Sequence, residues 1–144
     1  MKIQTYENHK QFVPMFHAVL FGILVLTLVG ALVNFFKSVG DHQRFYSASL
    51  IVVLDVALVM LFFFCRIFAL KAQDRAIRAE ENLRHFALTG KLLDPRLTIR
   101  QVVGLRFASD AEFVELAARA AKENLSEDAI KRAVKNWRAD TYRV

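Results

Sequence analysis

The residue in this chain whose type and position most invite chemistry is Asp55, a carboxylic acid set inside a long apolar run. An ionised carboxylate at mid-bilayer costs several kcal/mol, so such a group is normally protonated, paired or turned toward a polar cavity. Three roles are open to it: a hydrogen bond inside the protein, a step in a proton or ion path, or a polar contact with another subunit. Proton relays usually string several ionisable groups together. Leu54, Val56 and Leu58 offer no such string, and hydrogen bonding is the leading expectation. The other intramembrane polar candidates are Thr27, Asn34, His17 and Arg66. Setting Phe36 opposite Tyr46 in an antiparallel pair levels Thr27 with Asp55, and His17 with Cys65 and Arg66. Asp55 is thus expected to bond to Thr27 or to a neighbouring chain.

The remaining chemistry is sparse. None of His9, His17, His42 and His85 stands three or four residues from another histidine or a cysteine. His17 could ligate a haem iron or a chlorophyll magnesium, but a lone histidine at a membrane boundary is better read as a hydrogen-bonding group. The single cysteine, Cys65, can neither close an internal disulfide nor hold zinc alone. HExxH, CxxC, GxSxG, P-loop and GxGxxG motifs are absent from the sequence. These residues predict no catalytic site, no metal and no cofactor.

The elements that position these residues follow from where the apolar residues gather. The chain has 144 residues, is 55% hydrophobic and carries a formal charge of +6, and its mean hydropathy is +0.28. Disorder, collagen and a disulfide framework are excluded by that composition. Residues 14–36 carry no formal charge, and residues 48–70 are interrupted only by Asp55 and Arg66. A hydrocarbon core of about 30 Å takes roughly 20 helical residues, so both runs are long enough to span. The first run is too long for a signal peptide's apolar region, and a second span follows it at once. Ala18, Gly22 and Gly30 form a small-residue stripe on the first helix, suited to packing within a hairpin or against a second subunit.

Orientation follows from the basic residues near the span ends. Lys2, Lys10, Lys71, Arg75, Arg78 and Arg84 flank the pair, against Lys37 and Arg44 in the link at residues 37–47. Both termini, including residues 1–13, are therefore expected in the cytoplasm. Lys71, Arg75, Arg78 and Arg84 are expected to meet lipid headgroups. Helical pattern continues through residues 71–90 to a glycine stop at Gly90. Residues 48–89 can thus be one helix, roughly 60 Å long at 1.5 Å per residue. Ile77, Arg84 and Phe86 do not make a continuous heptad seam, which argues against a long coiled coil.

Residues 91–144 read as a small cytoplasmic domain of short helices after a break at Asp94-Pro95. Thr98 with Gln101 and Ser109 with Glu112 have capping-box spacing, and Ser126 suits a third N-cap. Phe113, Leu116, Ile130 and Trp137 are the expected small core. Charge alternates in blocks, basic up to Phe107, acidic over residues 110–128 and basic again from Lys131. Basic blocks without interleaved aromatic residues do not suggest nucleic-acid binding.

Several words of this sequence resemble an uncharacterised bacterial family of small two-span membrane proteins, a domain of unknown function. They are Tyr6-Glu7-Asn8-His9 with Pro14 and His17, Leu105-Arg106-Phe107-Ala108-Ser109-Asp110, Lys122-Glu123-Asn124-Leu125-Ser126, and Asn136-Trp137-Arg138-Ala139-Asp140 before Arg143-Val144. The resemblance implies a bacterial membrane protein and carries no activity. Together these readings predict an all-α membrane protein, a transmembrane hairpin with a long second helix and a cytoplasmic helical tail. The expected function is a non-enzymatic scaffold or accessory subunit of an inner-membrane complex, with lipids and other subunits or further copies as partners. A homo-oligomeric proton or ion conductor using Asp55, and a cofactor-carrying subunit of an electron-transfer complex using His17, are the alternatives.

Overall fold

The computed structural model describes residues 4–9 and 11–140. Lys2 and Lys10 of the orientation count, and Arg143-Val144 of the resemblance, lie outside them. The chain divides into two compact units, Phe12–Ala69 and a second made of the residues before and after it.

In the first unit Pro14 leads into a π-helical stretch, Met15–Leu20, which continues as α1, Phe21–Lys37. Proline suits this entry because its missing N–H would have had no helical partner. A turn through Gly40, whose φ of +103° is open to glycine, connects to α2, His42–Thr89. The second helix begins earlier than the expected residue 48. The Asp41 carboxylate caps it, accepting the N–H groups of Gln43 at 3.2 Å and Arg44 at 3.1 Å.

Two helices here are long and apolar enough to cross a membrane: Met15–Lys37, with a mean hydropathy of 2.5, and His42–Thr89, with 2.7. Only 11% and 6% of their most apolar stretches are buried. A core helix of a water-soluble domain would be covered on most sides, so burial inside this protein does not account for either run. Where they meet, Leu24, Leu28, Ala31, Phe35 and Ser38 of the first segment are covered or half-covered at alternating four- and three-residue spacing. Ala48, Val52, Asp55, Val59, Phe62 and Arg66 repeat the spacing on α2. Phe35 meets Phe45 near the turn at 4.8 Å, and Phe16 stacks on Phe62 far from it at 4.3 Å.

The second unit takes in the last turns of α2, which end at Gly90 (φ +72°) with its N–H on the Phe86 carbonyl at 2.7 Å. This is the expected stop. The break follows, where the Arg96 guanidinium pulls the Asp94 carboxyl down to about 2. Three short helices then form, α3 (Ile99–Leu105), α4 (Asp110–Glu123) and α5 (Glu127–Ala133). Their starts are the expected ones. Thr98 and Gln101 form a reciprocal capping box, Glu112 reaches back to the Ser109 N–H at 3.3 Å, and the Ser126 hydroxyl accepts the Ala129 N–H at 3.1 Å.

Leu97, Val102, Leu105, Phe113, Leu116, Ala120 and Ile130 fill the core with Ile77 from α2. Phe107 is also fully buried. At Gly104 the α3 and α5 backbones come so close that an added Cβ would sit 3.1 Å from the Glu127 carbonyl oxygen. Ile130, Val134 and Trp137 recur at helical spacing, but the helix stops at Ala133. Glu112 accepts the N–H groups of Lys135 at 3.0 Å and Asn136 at 2.9 Å, drawing the chain out of helix after Ala133. Trp137 instead pairs with Ala108 in an isolated antiparallel bridge and lies half-buried against Phe107 at 4.8 Å.

Candidate functional site

Asp55 is 9% exposed and stands on the α2 stripe that faces α1. Among the described residues its carboxyl has no hydrogen-bond or ion-pair partner. Thr27 does not supply one. It is exposed, and its hydroxyl donates to the carbonyls of Ile23 at 3.0 Å and Leu24 at 3.1 Å in its own helix. A helical threonine has those carbonyls always within reach, and Leu24 and Leu28 occupy the α1 side of the seam instead.

Arg66 is half-buried on the same stripe, three helical turns along, and Cys65 is exposed. His17 closes on its own turn, with Nδ1 3.1 Å from the Val13 nitrogen and 3.0 Å from its carbonyl oxygen, and its ring stacks on Phe12 at 5.0 Å. Of the small-residue stripe, Gly22 is half-buried, while Ala18 and Gly30 are exposed, as is Asn34, and among the described residues a Cβ at Gly22 or Gly30 would meet nothing within 4 Å.

The more elaborate constellation is in the second unit, where the N-terminal residues are held against the tail. The Asp140 N–H donates to Gln4 Oε1 at 2.7 Å, and Gln4 Nε2 donates back to the Asp140 carbonyl at 3.4 Å. Tyr6 donates its hydroxyl to Asp128, and Arg132 reaches the same carboxylate at 2.8 Å. The Tyr6 bond, with Arg132 behind it, holds the Asp128 carboxyl below its ordinary range and in turn raises the Tyr6 hydroxyl. His9 packs edge-on against Phe107 at 5.8 Å and beside Trp137 at 5.9 Å, and the Lys131 ammonium lies 3.4 Å from its Nε2. Sequence words that are remote along the chain thus form one assembly. The word around Asn124 joins through Gln101, whose Nε2 donates to the Leu125 carbonyl at 2.9 Å.

Beneath this assembly lies a charged hub. The Glu81 side chain, 4% exposed, takes Arg84 at 3.0 Å and Arg138 at 3.4 Å. Arg84 therefore does not join the headgroup-facing collar. Its guanidinium is buried against Asp110 at 2.6 Å and the Ala108 carbonyl at 2.7 Å, over the Phe113 ring at 4.2 Å. Helical phase explains the correction, since Ile77, Glu81 and Arg84 share the α2 face that meets the core. Arg78 is exposed but tied to the Leu97 carbonyl at 2.8 Å, whereas Lys71 and Arg75 are exposed.

A cavity of about 320 Å³ opens beside the hub, lined by Gln73, Ala76, Ile77, Glu80 and Glu81 of α2 and by Arg106, Arg138, Ala139 and Asp140 of the tail. Arg106 Nε lies 3.2 Å from the Asp140 carboxylate, and Gln73 Oε1 is buried without a hydrogen-bond partner among the described residues. The lining can take up water or peptide groups but brings no nucleophile beside a base. Among the described residues no group of three His, Cys, Asp or Glu side chains could hold a metal ion. Glu81 and Arg106 escaped sequence reasoning. The Glu81-Arg84 spacing of three was a usable signal for the first, and nothing local marked the second.

The chain belongs to DUF6526, a family of unknown function whose sequence pattern matches residues 1–144. Neither a curated protein nor a solved structure matches the chain.

Proposed function

We propose that the protein is a non-enzymatic scaffold or accessory subunit of a bacterial inner-membrane complex. It is a transmembrane hairpin with its link outside and both termini in the cytoplasm. The observation that carries this reading is the docking of residues 4–9 on the module that follows α2, through Gln4, Tyr6 and His9. Ends that pack together lie on one side of a bilayer, which requires an even number of crossings. Two helices long and apolar enough to cross separate them. The preponderance of Lys and Arg outside the link then selects the cytoplasm for those ends.

Two helices are too few to enclose a substrate path by themselves, and the tail cavity lacks catalytic chemistry. The tail instead offers charged helix faces to other subunits. Lys71 meets anionic headgroups, contributing about 1 kcal/mol near such a surface.

Topology is tested with single cysteines in a Cys65→Ala chain. Val39→Cys in the link reacts with an impermeant thiol reagent in intact cells, and Ala118→Cys on α4 reacts only after permeabilisation. The reverse pattern overturns the orientation. Native mass analysis of the protein extracted in mild detergent tests the role, which requires at least one companion chain. A lone protomer refutes it.

A further inference from the structure

Both Ile77 and Arg84 belong to the α2 face covered by the tail core. Setting them aside uncovers a second pattern along another face, of which Ala76, with the flanking Glu80, also rims the tail cavity. Ala72, Ala76, Ala79, Leu83 and Phe86 follow one another at four-, three-, four- and three-residue steps, and all five are exposed. Leu83 is 68% exposed and Phe86 51%. This is the a/d spacing of a coiled-coil seam, narrow at its alanine end and broad toward Phe86. In that frame Ile77, Glu81 and Arg84 fall at b, f and b, the positions farthest from a partner helix. Ala76 and Glu80 border the tail cavity but stay exposed, so the tail module and a second helix can occupy α2 together.

We propose that this face binds its counterpart on a second copy of the chain, in parallel, forming a two-fold coiled coil. The occupant is identified by charge. Arg75 falls at g and Glu80 at e, five residues apart, the separation that brings a g residue opposite an e residue of a parallel partner in register. Both side chains are exposed, and neither is in an ion pair among the described residues. Two symmetric Arg75–Glu80 pairs thus bracket the seam, and an antiparallel or shifted mate would not satisfy them.

Parallel alignment rests on the membrane reading above, because insertion in one orientation presents every copy the same way up. Confinement to a bilayer also raises the effective concentration of copies, so a seam rich in alanine suffices. Ala72, Ala76 and Ala79 allow close backbone approach, as small residues do between helices.

The test uses the full chain in mild detergent. In a Cys65→Ala background, Leu83→Cys on the seam is expected to form an oxidative dimer, while the exposed Ala118→Cys on α4 does not. Arg75→Glu sets like charges together at both pairs and is expected to weaken dimerisation about ten-fold. Arg75→Glu with Glu80→Arg restores it to within about two-fold, with circular dichroism unchanged throughout. A monomer by sedimentation overturns the proposal. So does equal cross-linking at Ala118, or a double exchange that fails to rescue. Failure here with the Val39 and Ala118 labelling as expected refutes the dimer alone, whereas reversed labelling refutes the orientation.

Discussion

Replacing Asp55 with leucine is expected to tighten the contact between α1 and α2. The carboxyl is buried in the seam, 9% exposed, and the described residues give it no hydrogen-bond partner, Thr27 being engaged with Ile23 and Leu24. Leaving a buried polar group unsatisfied costs about 1–3 kcal/mol, and leucine removes that cost. It is also the larger side chain, between half-buried Val52 and Val59, and modest overpacking offsets about 1 kcal/mol. On the membrane reading no hydrophobic gain is added, lipid tails being as apolar as the seam, and the carboxyl's penalty counts toward pairing because opening lets water reach it. The net is about 0–2 kcal/mol in favour of pairing, or up to roughly a 30-fold change in the opening equilibrium.

Ala31→Cys in a Cys65→Ala chain reads that opening directly, because Ala31 is 6% exposed in the seam. Its reaction with a membrane-permeant thiol reagent is expected to slow by that factor in Asp55→Leu. Asp55→Asn keeps an unpartnered polar group and stays near the parent rate, and Leu28→Ala, which removes packing, reacts faster. Faster labelling in Asp55→Leu would refute the reasoning and mean that the carboxyl has a partner outside this chain. A proton leak in vesicles that Asp55→Asn abolished would assign that partner to a conduction path.

Gly104→Ala is expected to lower the stability of the tail by about 1–3 kcal/mol despite alanine's higher helix propensity. The new methyl would meet the Glu127 carbonyl oxygen at 3.1 Å and Ile130 Cγ2 at 3.2 Å, and backbone gives way less readily than a side-chain end. A melt followed by Trp137 fluorescence checks it, and an unchanged midpoint refutes the α3–α5 packing. The second expectation concerns acid. Desolvation raises the Glu112 carboxyl, but the N–H groups of Lys135, Asn136 and Ser109 outweigh it and hold the group below its ordinary 4.5. A folded value below the unfolded one means a contribution fully present above about 4.5, lost as pH falls through the depressed value. The melting midpoint should therefore decline below that pH and decline less in Glu112→Gln. Parallel profiles for the two proteins would remove Glu112 from the account.

Features that depend on neighbours a few residues away were legible in the amino-acid sequence. The two apolar helices follow from long apolar runs, the starts of α3, α4 and α5 from Thr98, Ser109 and Ser126, and the end of α2 from Gly90. Each rests on a hydrogen bond or a transfer energy that a short segment satisfies alone. The tertiary structure decided which side of each helix meets which neighbour. It turned Asp55 into the seam and Thr27 out of it, took Arg84 into the tail core, drew Trp137 out of helix through Glu112, and brought Tyr6 to Asp128. Helical periodicity says that a face exists without saying what covers it. An apolar face at the edge of a bilayer has lipid, a second helix and a folded tail to choose among, and the choice depends on how all of them pack at once.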